Sequence, residues 1–416
     1  MNASPTTGAA TTSDGRIPGL DGLRALAIIA VVVWHGAVVT RFPLEAFGPL
    51  RWLIASSWAG VDLFFALSGF LITTLLLREE VRHVQSGQRP TFSLVRFYER
   101  RSLRILPVFF AAFFLITYVG SRFEVFTSIR AEHLWQRKSA LGVIPYGTFW
   151  GNYFAAYLQG SFSTRVYNPG DAYLVFWSLC VEEHFYLLWP LALFFIKRQR
   201  SRLVLGLAVC LLLPLLRFIV LHRHWEVTTT VHAVSHYRLD SILWGAVAAL
   251  AFGWLSRHMA IVRWLGAAAL TTVVILSITG HLSVLPPGTA LGDSLGLSAL
   301  ALGFTTLVIE VANNGHSPLV KALEAKPMVW VGRISYSMYL VHFPAIDVGK
   351  VIFFAVPRAP SVTSFFLGSS IFLLITIAFA ALLYIAVEKP VQKLRSLLRA
   401  RETIEPEPRL HHRQAG

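Results

Sequence analysis

An all-α, polytopic integral membrane protein with about ten transmembrane helices is the fold this sequence predicts, on three observations. The 416 residues are 55% hydrophobic and only 14% charged. The apolar residues come in runs of about twenty, the length that crosses a hydrocarbon core, rather than at amphipathic spacing. The basic residues, which give a formal net charge of +15, gather between those runs, where membrane insertion and an anionic inner leaflet favour them. That distribution points to a lipid bilayer and away from nucleic acid. Cys180 and Cys210 both fall inside apolar runs, so no disulfide framework and no CxxC metal pattern is available.

Ten apolar segments are centred near residues 29, 67, 112, 186, 211, 245, 270, 301, 345 and 376. An even number puts both termini on one side. With that side cytoplasmic, the inside segments hold 25 of the 37 Lys and Arg residues, which sets the orientation. Residues 1–16 are then a cytoplasmic tail. The first fifteen residues carry no Lys or Arg and no A-x-A site follows the apolar stretch, so the first span is retained rather than cleaved. Residues 17–395 form one membrane domain, and 396–416, basic and without an apolar face, read as a disordered cytoplasmic tail.

The first segment, IPGLDGLRALAIIAVVVWHG, carries Arg24 and His35, groups that are costly in a bilayer and so are candidates for function. Eleven residues return a helix to within roughly 20° of its starting direction, so both leave one face about 16 Å apart. The second, WAGVDLFFALSGFLIT, holds Asp62 about five residues from its outer end. The third opens with VRFYERRSLRILP, where Arg101 and Arg104 share a face beside Arg96 and Arg100; guanidinium forks there suit a ligand with several phosphates. The long connection that follows, roughly 121–174, faces outward and is rich in aromatics (Trp135, Tyr146, Trp150, Tyr153, Tyr157, Tyr167, Tyr173), a composition suited to the membrane interface or to sugar stacking.

In the fourth segment, WSLCVEEHFYLLWP, Ser178, Glu182, Tyr186 and Pro190 recur every four residues and line one face. Glu183 points about 100° away and is a supporting candidate. The fifth segment follows the basic KRQRSR, and the loop after it bears His222, His224, His232 and His236. No set of Cys or acidic ligands at fixed spacing accompanies them, so no metal is expected. Arg238 and Asp240 open the sixth segment in HYRLDSILWG. The seventh and eighth are the apolar runs centred near residues 270 and 301. The ninth, GRISYSMYLVHFP, sets Tyr339 and His342 one turn apart, and the tenth ends at EKP. Depth along each span separates an inner layer of arginines (Arg24, Arg101, Arg104) from an outer layer (His35, Asp62, Glu182, Arg238, Asp240) that converges on one polar pocket. A buried imidazole with a carboxylate partner is the usual arrangement of a general base that takes a hydroxyl proton.

In order and spacing these motifs resemble the acyltransferase-3 membrane acyltransferases, which include O-antigen, exopolysaccharide and nodulation-factor acetylases and macrolide acylases. The likeness runs from about Pro18 to Pro390. It is carried by LDGLRALAIIAVVVWH with its R-x10-H spacing, GVDLFFALSGFLIT, the R-x-x-R of Arg101 to Arg104, S-L-x-x-E-x-x-F-Y through Ser178, Glu182, Phe185 and Tyr186, then YRLDSILWG, GRISYSMYLVHFP and EKP. The family is often fused to an extracytoplasmic SGNH-type domain, and the length of this chain suggests the stand-alone form.

The resemblance implies transfer of an acyl group, commonly acetyl, from cytoplasmic acyl-CoA to a hydroxyl of a carbohydrate or glycosylated acceptor, at a bacterial inner membrane. Acetyl-CoA is then a donor substrate, and no cofactor is permanently bound. The phosphates would sit at Arg24, Arg101 and Arg104. His35 would act as general base or as transient acyl carrier, with Glu182 orienting its ring. Asp62, Ser178, Tyr186, Arg238, Asp240, Tyr339 and His342 are expected to line or support the pocket, with Tyr186 or Arg238 at a developing oxyanion. Two other readings of intramembrane His, Asp and Arg are a proton-coupled secondary transporter, whose paired repeats and interrupted helices are not evident, and an inactive relative. Oligomeric state is not legible.

Overall fold

Apolar runs long enough to span a bilayer must satisfy their own backbone groups, and in the computed structural model each of them does so as a helix. The structure describes residues 16–119, 122–123, 125–126, 144–158, 176–282, 288–357 and 359–394. The expected tails, apart from Arg16, lie outside the described residues, as do Trp135, Tyr167 and Tyr173 of the aromatic connection. The ten long helices are α1 (Leu20–Val39), α2 (Gly60–Gln85), α3 (Leu94–Phe114), α4 (Trp177–Phe195), α5 (Gln199–His222), α6 (Ser235–Leu255), α7 (Met259–Ile278), α8 (Ala290–Asn313), α9 (Lys326–Phe354) and α10 (Val362–Leu383). Short helical turns occur in several of the connections, and no strand occurs among the described residues.

All ten expected segments are therefore helices, but among the described residues nine, not ten, are long and apolar enough to cross a membrane unaided. The exception is α4. Its 19 residues include Glu182, Glu183 and His184 in succession, and that polar load lowers its apolar character below that of its neighbours.

Burial sorts the helices into a centre and a lipid-facing ring. In α2, 78% of the most apolar stretch is buried, whereas in α5 and α7 the share is 28%. The outer faces of α5 and α7 present Leu211 and Trp264, as a lipid-exposed surface should. The α2–α6 contact is made by small residues. A Cβ on Gly69 would strike the carbonyl of Ile242, and one on Gly245 would strike the carbonyl of Ala66, so the two backbones touch in a way only glycine permits.

Buried cations in the bundle are matched to carboxylates across helix pairs. Arg217 on α5 grips Asp240 on α6 through two 2.8 Å bonds and also reaches Ser298 on α8. Arg238 on α6 reaches Asp62 on α2 at 2.6 Å. Arg202 on α5 holds both oxygens of Glu80 on α2 at 2.7 Å. The start of α1 is tied to the α9 end of the chain as well. Gly19 adopts φ +83°, and its N–H donates to Glu324 at 2.6 Å. That clasp fixes the register in which Arg24 enters the bundle.

Candidate active site

Arginines cannot shed their charge in a membrane, so they gather where water or a ligand can meet them. Here Arg24, Arg101 and Arg104 line a single cavity of about 700 Å³, together with Ser178, Glu182, Tyr186 and Tyr339. Seven of the residues expected at a site thus share one space, walled by α1, α2, α3, α4 and α9.

The wall nearest α4 is a network of hydroxyls around one carboxylate. Tyr186 donates to Glu182 Oε2 at 2.7 Å, and Ser68 on α2 donates to Oε1 at 3.1 Å. The Tyr186 and Ser68 hydroxyls lie 3.0 Å apart. The Arg101 guanidinium stacks 3.7 Å over the Tyr186 ring, a contact worth ~2 kcal/mol when desolvated. Its Nε is buried and has no partner among the described residues. Across the cavity, Ser178 and Tyr339 share a 2.6 Å hydrogen bond, and Arg24 Nε donates to Ser335 at 3.3 Å.

Two features of this geometry differ from the sequence expectation. Glu182 sits with the arginines, not in a separate outer layer, because its helix packs its polar stripe against Ser68 and Arg101. Glu183, expected to point away, lines the same cavity.

His35 is not on the cavity wall. It lies deeper, its ring centroid 4.9 Å from that of His342 and 4.8 Å from Phe343. His342 in turn lies 5.5 Å from the ring of the wall residue Tyr339. The His35 Nδ1 is 3.0 Å from the Val31 carbonyl, and the His342 Nδ1 is 2.6 Å from the Tyr339 carbonyl. A carbonyl only accepts, so each Nδ1 is the donor and each neutral ring keeps its lone pair on Nε2. The His342 Nε2 is buried and has no partner among the described residues. Val31, one turn below on the same helix, therefore sets the His35 tautomer. The expected Glu182 contact does not do so: the hydrogen bonds of that carboxylate run to Ser68 and Tyr186.

The remaining expected residues form supports. Asp62 and Arg238 pair with each other, and Asp240 pairs with Arg217 instead of with Arg238. The difference follows from helix geometry, since positions 238 and 240 project about 200° apart and face different neighbours. Arg217, in the run CLLLPLLRFIV, is the residue the sequence reading missed. An arginine in an apolar run is as costly there as Arg24, and that was the available signal. Ser68 and Glu388 also line the cavity. Glu388, in the closing EKP, accepts from Ser337 at 2.7 Å.

The described part of the aromatic connection packs on α4 and α6. Trp150 lies 4.9 Å from the His184 ring, Tyr153 bonds His236 Nδ1 at 3.0 Å, and Tyr157 donates to Glu226 at 2.9 Å. Partial burial, reinforced by the Glu226 carboxylate, raises the Tyr157 phenol above its ordinary pKa, so this hydroxyl stays protonated. His222 stacks on Phe218, while His232 Nε2 lies 3.2 Å from Asp293. Among the described residues no three His, Cys, Asp or Glu side chains are placed to share a metal ion.

Residues 17–385 match the acyltransferase-3 family, described as an acyltransferase domain. The chain is 31% identical over 338 residues to the O-acetyltransferase OatA of Staphylococcus aureus, covering 79% of this chain and 50% of that protein. It is 28% identical over 350 residues to the peptidoglycan O-acetyltransferase OatA of Listeria monocytogenes, covering 79% and 49%. The chain thus aligns with about half the length of these relatives. No solved structure matches it.

Proposed function

The chain belongs to the acyltransferase-3 family, and from that premise we propose that it transfers an acetyl group from cytoplasmic acetyl-CoA to a hydroxyl of a cell-wall polysaccharide. One observation carries the reading: a single cavity lined by arginines and a Ser/Tyr/Glu network includes Tyr339 in its wall, and behind Tyr339 lie the paired imidazoles of His342 and His35. The relatives' names supply the class of acceptor.

In this reading the donor enters thioester first. Arg24, Arg101 and Arg104 grip its phosphates bidentately, and the pantetheine arm runs past Tyr186 and Glu182 toward Tyr339. Glu182 is a positioning residue here, holding the Ser68 and Tyr186 hydroxyls against the arm. At the far end His35 Nε2 takes the proton of the acceptor hydroxyl as its oxygen attacks the thioester carbonyl. The C–S bond then breaks, and the same proton passes to the departing CoA sulfur. In the alternative covalent route Nε2 attacks first and the C–S bond breaks to release CoA as the thiolate; the acceptor hydroxyl oxygen then displaces the imidazole, and its proton passes to the thiolate. Both routes need an unprotonated Nε2, and in the neutral ring the Val31 bond keeps the one remaining proton on Nδ1.

The test is to incubate membranes containing the protein with acetyl-CoA labelled in its acetyl group and to separate carbohydrate, lipid and protein fractions. Label is expected in the polysaccharide. Label confined to lipid or protein, or no label in membranes that bind the donor, contradicts the acceptor assignment.

A further inference from the structure

His342 is a buried imidazole to which the account so far gives no step. Its Nδ1–H donates to the Tyr339 carbonyl at 2.6 Å, and its Nε2 lone pair has no partner among the described residues. The His35 ring lies 4.9 Å away between centroids, and its own Nδ1–H donates to the Val31 carbonyl at 3.0 Å. Two neighbouring neutral imidazoles thus share one tautomer, and each keeps its basic nitrogen clear of the backbone. Among the described residues no carboxylate hydrogen bonds to either ring. Glu182 serves Ser68 and Tyr186, and Asp347, five residues beyond His342, pairs with Lys350 at 2.6 Å.

The shared tautomer bears on the covalent route. When His35 Nε2 attacks a thioester carbonyl, its lone pair becomes the bond to the acetyl group while Nδ1 stays tied to Val31. An acetylated His35 has no basic nitrogen left, so the acceptor hydroxyl needs a second base. Direct transfer requires one base; transfer through acetyl-His35 requires two, and two are present. The surroundings of the pair agree. Along α1 and α9 the arginine cavity is lined by Arg24, before His35, and by Ser335 and Tyr339, before His342. A second cavity of about 110 Å³ is lined by Gly36 and Thr40, after His35, and by Phe353, after His342. The imidazole pair thus lies between two cavities along both helices, which gives donor and acceptor separate approaches.

We infer that transfer proceeds in two displacements, with the acetyl group held on His35 Nε2 between them and His342 Nε2 as the base of the second. The inference rests on the donor reading under Proposed function and adds the order of its steps. In the first, neutral His35 attacks the thioester carbonyl and the C–S bond breaks, leaving CoA thiolate and an acetylimidazolium whose Nδ1–H donates to Val31. In the second, His342 Nε2 takes the proton of the acceptor hydroxyl as its oxygen attacks the acetyl carbonyl. The C–N bond breaks, the ester departs and His35 regains its lone pair. The proton on His342 then passes to the CoA thiolate, and both imidazoles are neutral again.

The experiment uses acetyl-CoA labelled in its acetyl group, with the full chain in detergent without polysaccharide and in membranes that contain it. In detergent, wild type is expected to release about one equivalent of CoA per chain in a burst and to retain the acetyl group on the denatured protein, in a form that hydroxylamine removes. His35→Ala does neither. His342→Asn keeps the burst, while its kcat for transfer to polysaccharide in membranes falls about a hundred-fold or more. A merely structural role for His342 would lower burst and turnover together. That result in a variant that still binds acetyl-CoA, or transfer by His342→Asn at the wild-type rate, overturns the inference. If His342→Asn does not bind acetyl-CoA, His342→Gln replaces it, and wild type provides a test of its own. Transfer by wild type with neither a burst nor acetyl on the protein means direct transfer with His35 as sole base, which overturns the inference and leaves the donor reading standing. No transfer from acetyl-CoA by wild type in membranes fails that reading, and the inference with it.

Discussion

Arg101 serves two purposes at once: its guanidinium covers the Tyr186 ring at 3.7 Å, and its buried Nε points a donor at nothing among the described residues. A buried donor without a partner is costly, and in the proposed reading a phosphate oxygen of acetyl-CoA meets it. Arg104, one turn on, adds a second fork. Phosphate grip at this point is shared by ground and transition states, so its loss should appear in KM more than in kcat. Arg101→Ala/Arg104→Ala is expected to raise the KM for acetyl-CoA by about ten-fold or more while kcat changes little. Steady-state kinetics with membranes of matched protein content check this, and an unchanged KM would return the two arginines to a purely topological role.

At the scale of helices, the buried pairs hold the elements that carry the site. Arg217 and Asp240 are both fully buried, joined by two bonds and supported by Ser298. Removing only one partner strands a charge, so Arg217→Met should destabilise the fold by about 3–5 kcal/mol, whereas Arg217→Met/Asp240→Leu should recover much of that loss. Unfolding in mixed detergent micelles, followed by α-helical circular dichroism, distinguishes the two. A double variant no more stable than the single one would mean the pair contributes more than charge compensation.

Which residue pairs with which was not legible in the sequence. The ten segments were, because a run of twenty apolar residues has one stable conformation in lipid. The shared face of Ser178, Glu182 and Tyr186 was legible for a similar reason, since helical period alone fixes it. The partner of Arg217, the role of Ser68 and the placing of Glu182 beside the arginines depend on how helices rotate and slide against one another. The Gly69–Gly245 contact and the positive φ at Gly19 set that rotation, and no single-segment pattern encodes it.

At the scale of the molecule, the account makes the bundle a conduit for an acyl group. Under the proposed function, donor phosphates would stay at one face, the arm would pass a carboxylate–hydroxyl network, and the chemistry would occur at His35 behind Tyr339 and His342. The positive-inside distribution of charge, together with the arginine-lined cavity, leads the proposal to put the donor on the cytoplasmic face. A membrane-impermeant donor should therefore work from the cytoplasmic side only, and only with His35 present. The most direct measurement is transfer of labelled acetyl from acetyl-CoA into polysaccharide by sealed vesicles of both orientations, each carrying wild type or His35→Ala. The account predicts incorporation by wild type in inverted vesicles alone, and none by His35→Ala although it still binds acetyl-CoA. Near-normal transfer by His35→Ala, or equal transfer from right-side-out vesicles, would contradict it.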